Sequence, residues 1–372
     1  MKVIIAMDSF KGNMSAREAC ERVRDGILSV RPDTDIVLKP MADGGEGTAE
    51  ALMTSRNGEW VKETVTGPLP ERSVQAGYAW FPDDQSALIE MAEASGITLL
   101  DRSELNPLKT TTFGTGELMQ AALRRGARRL ILAVGGSATV DGGVGAAMAL
   151  GWQFLDPSGQ SIGLGGEMLE RIATIRPPDQ PIDIPVEVLC DVDNPLTGEH
   201  GAAAVFGPQK GATPEMVEQL DRGLKRLAET VREQVGMEID EVPGAGAAGG
   251  LSAGAMAFCR AKLVPGIDTV MTAGGLEAQL TDADWVISGE GRFDSQSLRG
   301  KVVSGIVRLA KKSGVKVGVI AGSVRVSEEE CHAQGLEFAW PTAPAETPME
   351  VALLTAKDDL QDTGRRFAVE RL

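Results

Sequence analysis

Several short stretches of this chain set carboxylates, hydroxyls and single basic residues among glycines. Asp8-Ser9-Phe10-Lys11-Gly12 offers Lys11 as a compact cation for phosphate or carboxylate, and Asp8 for a metal or a substrate hydroxyl. The same residues would also suit a plain solvent-exposed turn. Asp43-Gly44-Gly45-Glu46-Gly47-Thr48 packs two carboxylates among three glycines. Glycine lets backbone approach a ligand, and carboxylates orient hydroxyls or bind magnesium. A simple helix cap at Asp43 would not need that much glycine. Gly135-Gly136-Ser137-Ala138-Thr139-Val140-Asp141-Gly142-Gly143 follows an apolar run and precedes a helix-like one. Backbone N–H groups at such a helix start form an anion site, and Ser137 and Thr139 add hydroxyl donors. The competing reading is a glycine-rich packing turn.

Asp191-Val192-Asp193-Asn194-Pro195 places two acids two residues apart at the end of a run. They could serve magnesium or hold a hydroxyl, or close the strand as an Asx-turn. Ser288-Gly289-Glu290-Gly291-Arg292-Phe293-Asp294 is the densest polar cluster. Arg292 can grip a carboxylate or phosphate in bidentate fashion, and Glu290 and Asp294 add acids. An ion-paired loop is the plainer alternative. Phe206-Gly207-Pro208-Gln209-Lys210-Gly211 supplies another glycine-flanked lysine, which by itself reads as an ordinary surface loop.

These clusters need elements to hold them. Apolar runs at residues 3–7, 36–38, 130–134, 186–190, 285–287 and 315–320 lead into clusters of Gly, Asp or Ser and then toward helical patterns. Strands alternating with helices predict a mainly parallel sheet, whose ligands gather beyond the carboxyl ends of its strands. The clusters fall at those ends. Residues 59–65, 73–81 and 87–91 follow one another without helices, which predicts an antiparallel patch. Ser15-x-x-Glu18 and Thr347-x-x-Glu350 read as capping boxes, and Thr213-Pro214 as a helix start. The expected architecture is α/β with two domains and the active site in the cleft between them. Residues 1–62 plus 285–372 would form a Rossmann-like three-layer domain, and residues 63–284 an inserted mixed α/β domain.

The 372 residues are 42% hydrophobic but only 4% aromatic, so Ala, Val, Ile, Leu and Met must build the cores. A formal net charge of -16 argues against nucleic acid or an anionic membrane as partner, yet leaves room for a small anion held by local cations. The four cysteines form no C-x-x-C pair, and the two histidines, His200 and His332, sit in no cluster. A histidine metal site or a Ser-His-Asp hydrolase is therefore disfavoured. There is no G-x-x-x-x-G-K-[ST] and no protein-kinase signature set. Gly244-Ala245-Gly246-Ala247-Ala248-Gly249 matches G-x-G-x-x-G, but the preceding residues 238–243 do not read as a strand, which removes an NAD reading; a glycine-rich loop lining a cleft remains. Residues 3–7 are too short an apolar run for a signal peptide, and no run reaches membrane-spanning length, so the expected location is cytoplasmic.

The clusters around Lys11, Asp43, Gly135, Asp191, Lys210 and Arg292 occur in an order that resembles the type I glycerate kinases over essentially the whole chain. The resemblance implies phosphoryl transfer from ATP, with Mg2+, to D-glycerate, usually giving 2-phosphoglycerate; a monomer or homodimer is the expected assembly. It implies catalytic roles among Lys11, Asp43, Asp191 and Arg292. Gly135, Gly136, Ser137, Thr139, Asp141, Gly142, Gly289 and Glu290 would bind the nucleotide, and Asp191, Asp193 or Asp294 would bind the metal. The competing functions are a kinase for another small hydroxy acid or polyol, and a non-catalytic small-anion binding protein.

Overall fold

Residues Val3, Ile5 and Met7 of the strand Lys2–Met7 point to one side of a sheet and Ile4 and Ala6 to the other, and all are buried. A strand apolar on both faces must be covered on both, which is the condition of a parallel sheet between helices. The computed structural model, which describes every residue except Lys11, Asp43, Gln296, Arg299, Gly300, Lys301 and Ala345, meets that condition. It divides into two compact units. The first comprises Met1–Asp43, Glu50–Asn57 and Ile267–Leu372, and the second Gly44–Ala49 and Gly58–Gly266.

The first unit holds five parallel strands in the spatial order Asp35–Leu38, Lys2–Met7, Trp285–Gly289, Lys316–Ala321, Phe338–Pro341. Within this unit that is the 2-1-3-4-5 order of flavodoxin-like sheets, a doubly wound relative of the Rossmann arrangement. One face packs on helices Ala16–Leu28 and Met349–Arg371, through Ala19, Val23, Ile27, Leu360 and Phe367. These two helices meet at Gly26 and Gly364. A Cβ on Gly26 would lie 2.0 Å from the Gln361 carbonyl oxygen, so only glycine permits that approach. Helix Val302–Ser313 packs on strands Trp285–Gly289 and Lys316–Ala321.

Caps fixed one helix start as the sequence suggests and another differently. The Ser15 hydroxyl accepts from the Glu18 amide at 3.3 Å, although the reciprocal arm is replaced by an ion pair of Glu18 with Lys357 at 2.7 Å. Thr347 does not cap the last helix. Its amide closes a turn onto the Pro344 carbonyl, and Pro348 occupies the N-cap position. A complete capping box that the sequence reading passed over joins Ser327 and Glu330.

The second unit holds a six-stranded mixed sheet ordered Lys262–Val264, Val186–Leu189, Arg129–Ala133, Ser86–Glu90, Ser73–Phe81, Glu59–Thr66. The first four are parallel, and Ser73–Phe81 runs antiparallel to both of its neighbours. The antiparallel patch thus lies where helices are missing from the sequence pattern. One sheet face packs Tyr78, Ile89, Leu130 and Val188 against Leu118 of helix Phe113–Arg125 and Leu251 of helix Ala247–Cys259. A separate apolar cluster surrounds helix Pro214–Gln234, whose Leu220, Leu224, Leu227 and Val231 meet Val140, Leu169 and Phe258. Thr213 caps that helix and Pro214 opens it, as their spacing predicts.

Candidate active site

In the second unit, strand register gathers polar groups at one edge. Glu90 pairs with Ala133, Ala133 with Leu189, and Leu189 with Val264. Glu90 itself, and Gly135, Asp191 and Gly266 two residues past their paired neighbours, therefore stand at the carboxyl edge of four parallel strands. Asp191 is exposed there, and its carboxylate accepts from the Gly266 amide at 2.9 Å. Asp193 is exposed two residues on. The Gly44–Ala49 segment lies along the same edge. A Cβ on Gly44 would meet Cβ of Leu189 at 2.9 Å, and one on Gly135 would meet Cα of Gly45 at 2.7 Å.

Glu90 ends a strand that is buried throughout and is itself 6% exposed. One carboxylate oxygen accepts from the Ala49 amide at 2.7 Å, and the other from the Gly47 amide at 3.3 Å. Burial pushes its carboxyl up to about 7 despite those two bonds, with Glu93 and Glu46 adding like charge. In the sequence Glu90 falls within residues 87–91 of the expected antiparallel patch, with no chemistry assigned to it. The available signal was a lone acid closing a run of Ala87, Leu88 and Ile89.

The glycine-rich segment at residues 135–143 splits into an outer and an inner part. Gly135 is half-buried and Gly136 exposed. From Ser137 onward the segment is internal. Asp141 is 1% exposed, and its carboxylate accepts from the Thr112 amide at 2.8 Å, the Thr112 hydroxyl at 2.9 Å, the Gly143 amide at 3.1 Å and the Gly145 amide at 3.3 Å. The amides at the start of helix Val144–Ala149 do bind an anion, and that anion is Asp141. Gly142 donates its amide to the Gly249 carbonyl at 3.0 Å. A Cβ on Gly249 would fall 1.9 Å from the Thr139 carbonyl oxygen. The segment around Gly244 thus packs against the other glycine segment, which answers the two glycine runs with one close backbone contact.

Lys210 is 1% exposed rather than on a surface loop. Its ammonium donates to the Ser137 hydroxyl at 2.6 Å and to the Thr139 carbonyl at 2.7 Å. Burial pushes it down to about 7, with the charge of Asp141 opposing.

In the first unit the order of strands reverses between Lys2–Met7 and Trp285–Gly289, where doubly wound sheets place their ligands. Met7 pairs with Gly289, and the Asp8 amide donates to the Gly289 carbonyl at 2.8 Å. Asp8 turns its carboxylate onto the Ser9 amide at 2.6 Å. A Cβ on Gly289 would sit 1.8 Å from the Ile320 carbonyl oxygen, so glycine sets the strand spacing at this point. Beyond it, half-buried Glu290 leads to a short strand, Arg292–Phe293, paired with Ser323–Val324. Phe293 is buried and anchors this strand, leaving the Arg292 side chain 70% exposed and ion-paired with Asp294 at 3.1 Å.

Within the first unit, Gly289, Glu290, Arg292 and Asp294 therefore share one strand edge with Asp8. Within the second, Gly135, Gly136, Asp191 and Asp193 share another. Ser137, Thr139, Asp141 and Gly142 stand behind that second edge as its support. Lys11 and Asp43 lie outside the described residues. Among the described residues, no three His, Cys, Asp or Glu side chains cluster as a ready metal cage, and no helix is long and apolar enough to cross a membrane.

Comparison with known proteins bears on what these two edges do. The profile of the Glycerate kinase family matches residues 3–370. A Bacillus subtilis protein named glycerate kinase is 45% identical over 99% of this chain and 97% of its own length. An Escherichia coli protein named glycerate 2-kinase is 42% identical over the same shares. A crystal structure of a Salmonella typhimurium LT2 protein assigned as glycerate kinase 2 superposes with a TM-score of 0.88 at 43% identity, covering 99% of this chain and 97% of that one. A match that spans nearly every residue, with the polar clusters at the strand ends, has one consequence: the chain is an enzyme belonging to the glycerate kinase family.

Proposed function

We propose that the protein transfers the terminal phosphoryl group of ATP to the 2-hydroxyl of D-glycerate, giving 2-phosphoglycerate. The observation that carries this reading is the full-length match to relatives named glycerate kinase and glycerate 2-kinase. The strand-end chemistry supports it. Phosphoryl transfer needs positioning and charge neutralisation more than covalent catalysis. D-Glycerate presents one carboxylate and two hydroxyls. Arg292, splayed into solvent and oriented by Asp294, takes the substrate carboxylate. Asp191, aimed by the Gly266 amide, orients the attacking hydroxyl and accepts its proton. Lys11 neutralises the transferring group, and Asp43 is the second acid available to the hydroxyl. Gly135, Gly136, Gly289 and Glu290 offer backbone and carboxylate contacts to the nucleotide.

Magnesium would be held through the ATP phosphates and by hard oxygen donors, for which the exposed carboxylates of Asp191 and Asp193 are suited and Asp294 is a further candidate. Magnesium commonly keeps waters and phosphate oxygens as most of its ligands, so one or two carboxylates are enough. When bound it supplies charge neutralisation on the phosphates.

The test is ADP release from MgATP in the presence of D-glycerate, followed by proton-coupled phosphorus NMR of the product. A C2 ester couples to one proton and gives a doublet. A C3 ester couples to two and gives a triplet, which would replace the proposed product with its isomer. Absence of ADP release above background with folded protein would overturn the kinase reading itself.

A further inference from the structure

Glu90 holds two backbone donors on a segment that reaches the carboxyl edge of the second unit, and it lies outside every motif that marks a site in the sequence. Both of its oxygens are occupied, one by the Ala49 amide and one by the Gly47 amide. The other end of the segment is seated where Gly45 closes against Gly135. Glu46, exposed, lies between these two fixed points. A carboxylate with 6% exposure is not a solvent-facing group, so its environment is set by this segment. We propose that Glu90 is a positioning residue for phosphoryl transfer: ionised, it grips the Gly47 and Ala49 amides and holds Glu46 and its glycines at the strand edge, and protonation releases that grip. The proposal rests on the reading that this edge belongs to the phosphoryl-transfer site.

The physical basis is donor counting. An ionised carboxylate is acceptor-only and can satisfy both amides. The protonated acid turns one oxygen into a donor, which faces an N–H and breaks one of the two bonds. Surroundings favour the acid near neutrality, because burial pushes the Glu90 carboxyl up to about 7. Among the described residues, the charged groups that act on it most are both acids: Glu46 on the gripped segment and Glu93 on the helix that follows. The neighbouring strand presents Ala133 at this level, and the adjoining loop presents Gly135, so neither brings a cation.

Two measurements on the full-length protein decide it. The first is amide hydrogen exchange of the wild type on both sides of pH about 7. Protection factors at Gly47 and Ala49, corrected for the intrinsic rate, should fall as pH drops through that value while the sheet core stays protected. Constant protection overturns the grip. The second is kinetic. In Glu90→Gln, kcat should fall about 10- to 100-fold, as for groups that act through a neighbour, with the KM for ATP moving less than about 3-fold. The acid limb of the wild-type pH profile should disappear with it, and Glu90→Asp, which can still reach one amide as a carboxylate, should recover part of the rate. An unchanged acid limb in Glu90→Gln overturns the role in the reaction. If the wild type phosphorylates no glycerate, the reading beneath the proposal fails, and the exchange measurement still decides the grip on its own.

Discussion

The Lys210 ammonium lies 2.6 Å from the Ser137 hydroxyl and 2.7 Å from the Thr139 carbonyl oxygen, with no access to water. It ties the loop of residues 207–211 to the inner half of the glycine-rich segment. Asp141, two residues beyond Thr139, supplies the nearby negative charge. Buried lysines without a directly bonded carboxylate lose their proton easily.

Stability should therefore rise with pH on the alkaline side. Free lysine has a pKa of 10.5, and burial takes Lys210 down to about 7. Between those values the unfolded chain binds one proton more than the folded one. Unfolding free energy then increases with pH across that window, and falls again as pH drops from 10.5 to about 7, by a few kcal/mol at most, with no further change below it. Denaturant unfolding at several pH values measures this. Other lysines titrate in the same range, so the informative quantity is the difference from Lys210→Met. That variant should lose the slope and, by stranding the Thr139 carbonyl, about 1–3 kcal/mol at every pH. An identical slope in both proteins would show that Lys210 stays charged.

Asp141→Asn should act through structure. The amide keeps one acceptor and presents an NH2 to amides that are themselves donors. At least one of the Thr112, Gly143 and Gly145 donors loses its partner in a fully buried site. The expected cost is about 2–3 kcal/mol, read from urea midpoints at constant slope. If Asp141 bound ligand instead, the variant would keep its stability and lose only turnover.

Gly289→Ala tests the switch point of the first unit. The new methyl would overlap the Ile320 carbonyl oxygen, a backbone atom that cannot rotate away. Strands Trp285–Gly289 and Lys316–Ala321 would have to part at their carboxyl ends, displacing Glu290. We expect destabilisation at the upper end of ~1–3 kcal/mol, with kcat falling in the protein that does fold. Unchanged stability would mean that the sheet edge is softer than its spacing suggests.

Most sheet strands were legible from apolar runs that lead into polar, glycine-rich clusters, and the antiparallel patch because no helical period separates residues 59–91, but the short edge strands Lys262–Val264 and Phe338–Pro341 were not. Placement was legible where charge stayed exposed: Asp191, Asp193 and Arg292 stand at or just beyond strand ends, as their spacing predicts. It was not legible where polar residues turn inward. Ser137, Thr139 and Asp141 have the composition of a phosphate loop, but composition cannot say whether helix-start amides face a ligand or the chain's own carboxylate. Lys210 looked like a surface residue because lysine usually is one. Only tertiary packing put Ser137 against it. Glu90 was hidden by the opposite effect, an acid carried inside by an apolar strand. The Thr347 box failed because Pro348, next in sequence, takes the cap position itself.

Asp191 and Asp193 have the same chemistry at different anchorage, which allows their roles to be separated. Asp191 is oriented by the Gly266 amide at 2.9 Å, as a group that must aim at one hydroxyl would be. Asp193 lies two residues farther along the exposed segment. If Asp191 orients and deprotonates the hydroxyl, Asp191→Asn should lower kcat by about 100-fold or more while the magnesium concentration for half-maximal rate stays put. If Asp193 holds the metal with the ATP phosphates, Asp193→Asn should raise that concentration about 10-fold or more and recover much of its rate at saturating magnesium. Rate measured against magnesium at fixed ATP, in each variant, gives both numbers. A shift in magnesium demand on Asp191→Asn alone would exchange the two assignments, placing the metal on the anchored acid. Equal and complete loss in both variants, with no rescue by magnesium, would mean that the pair works as one unit on a single ligand.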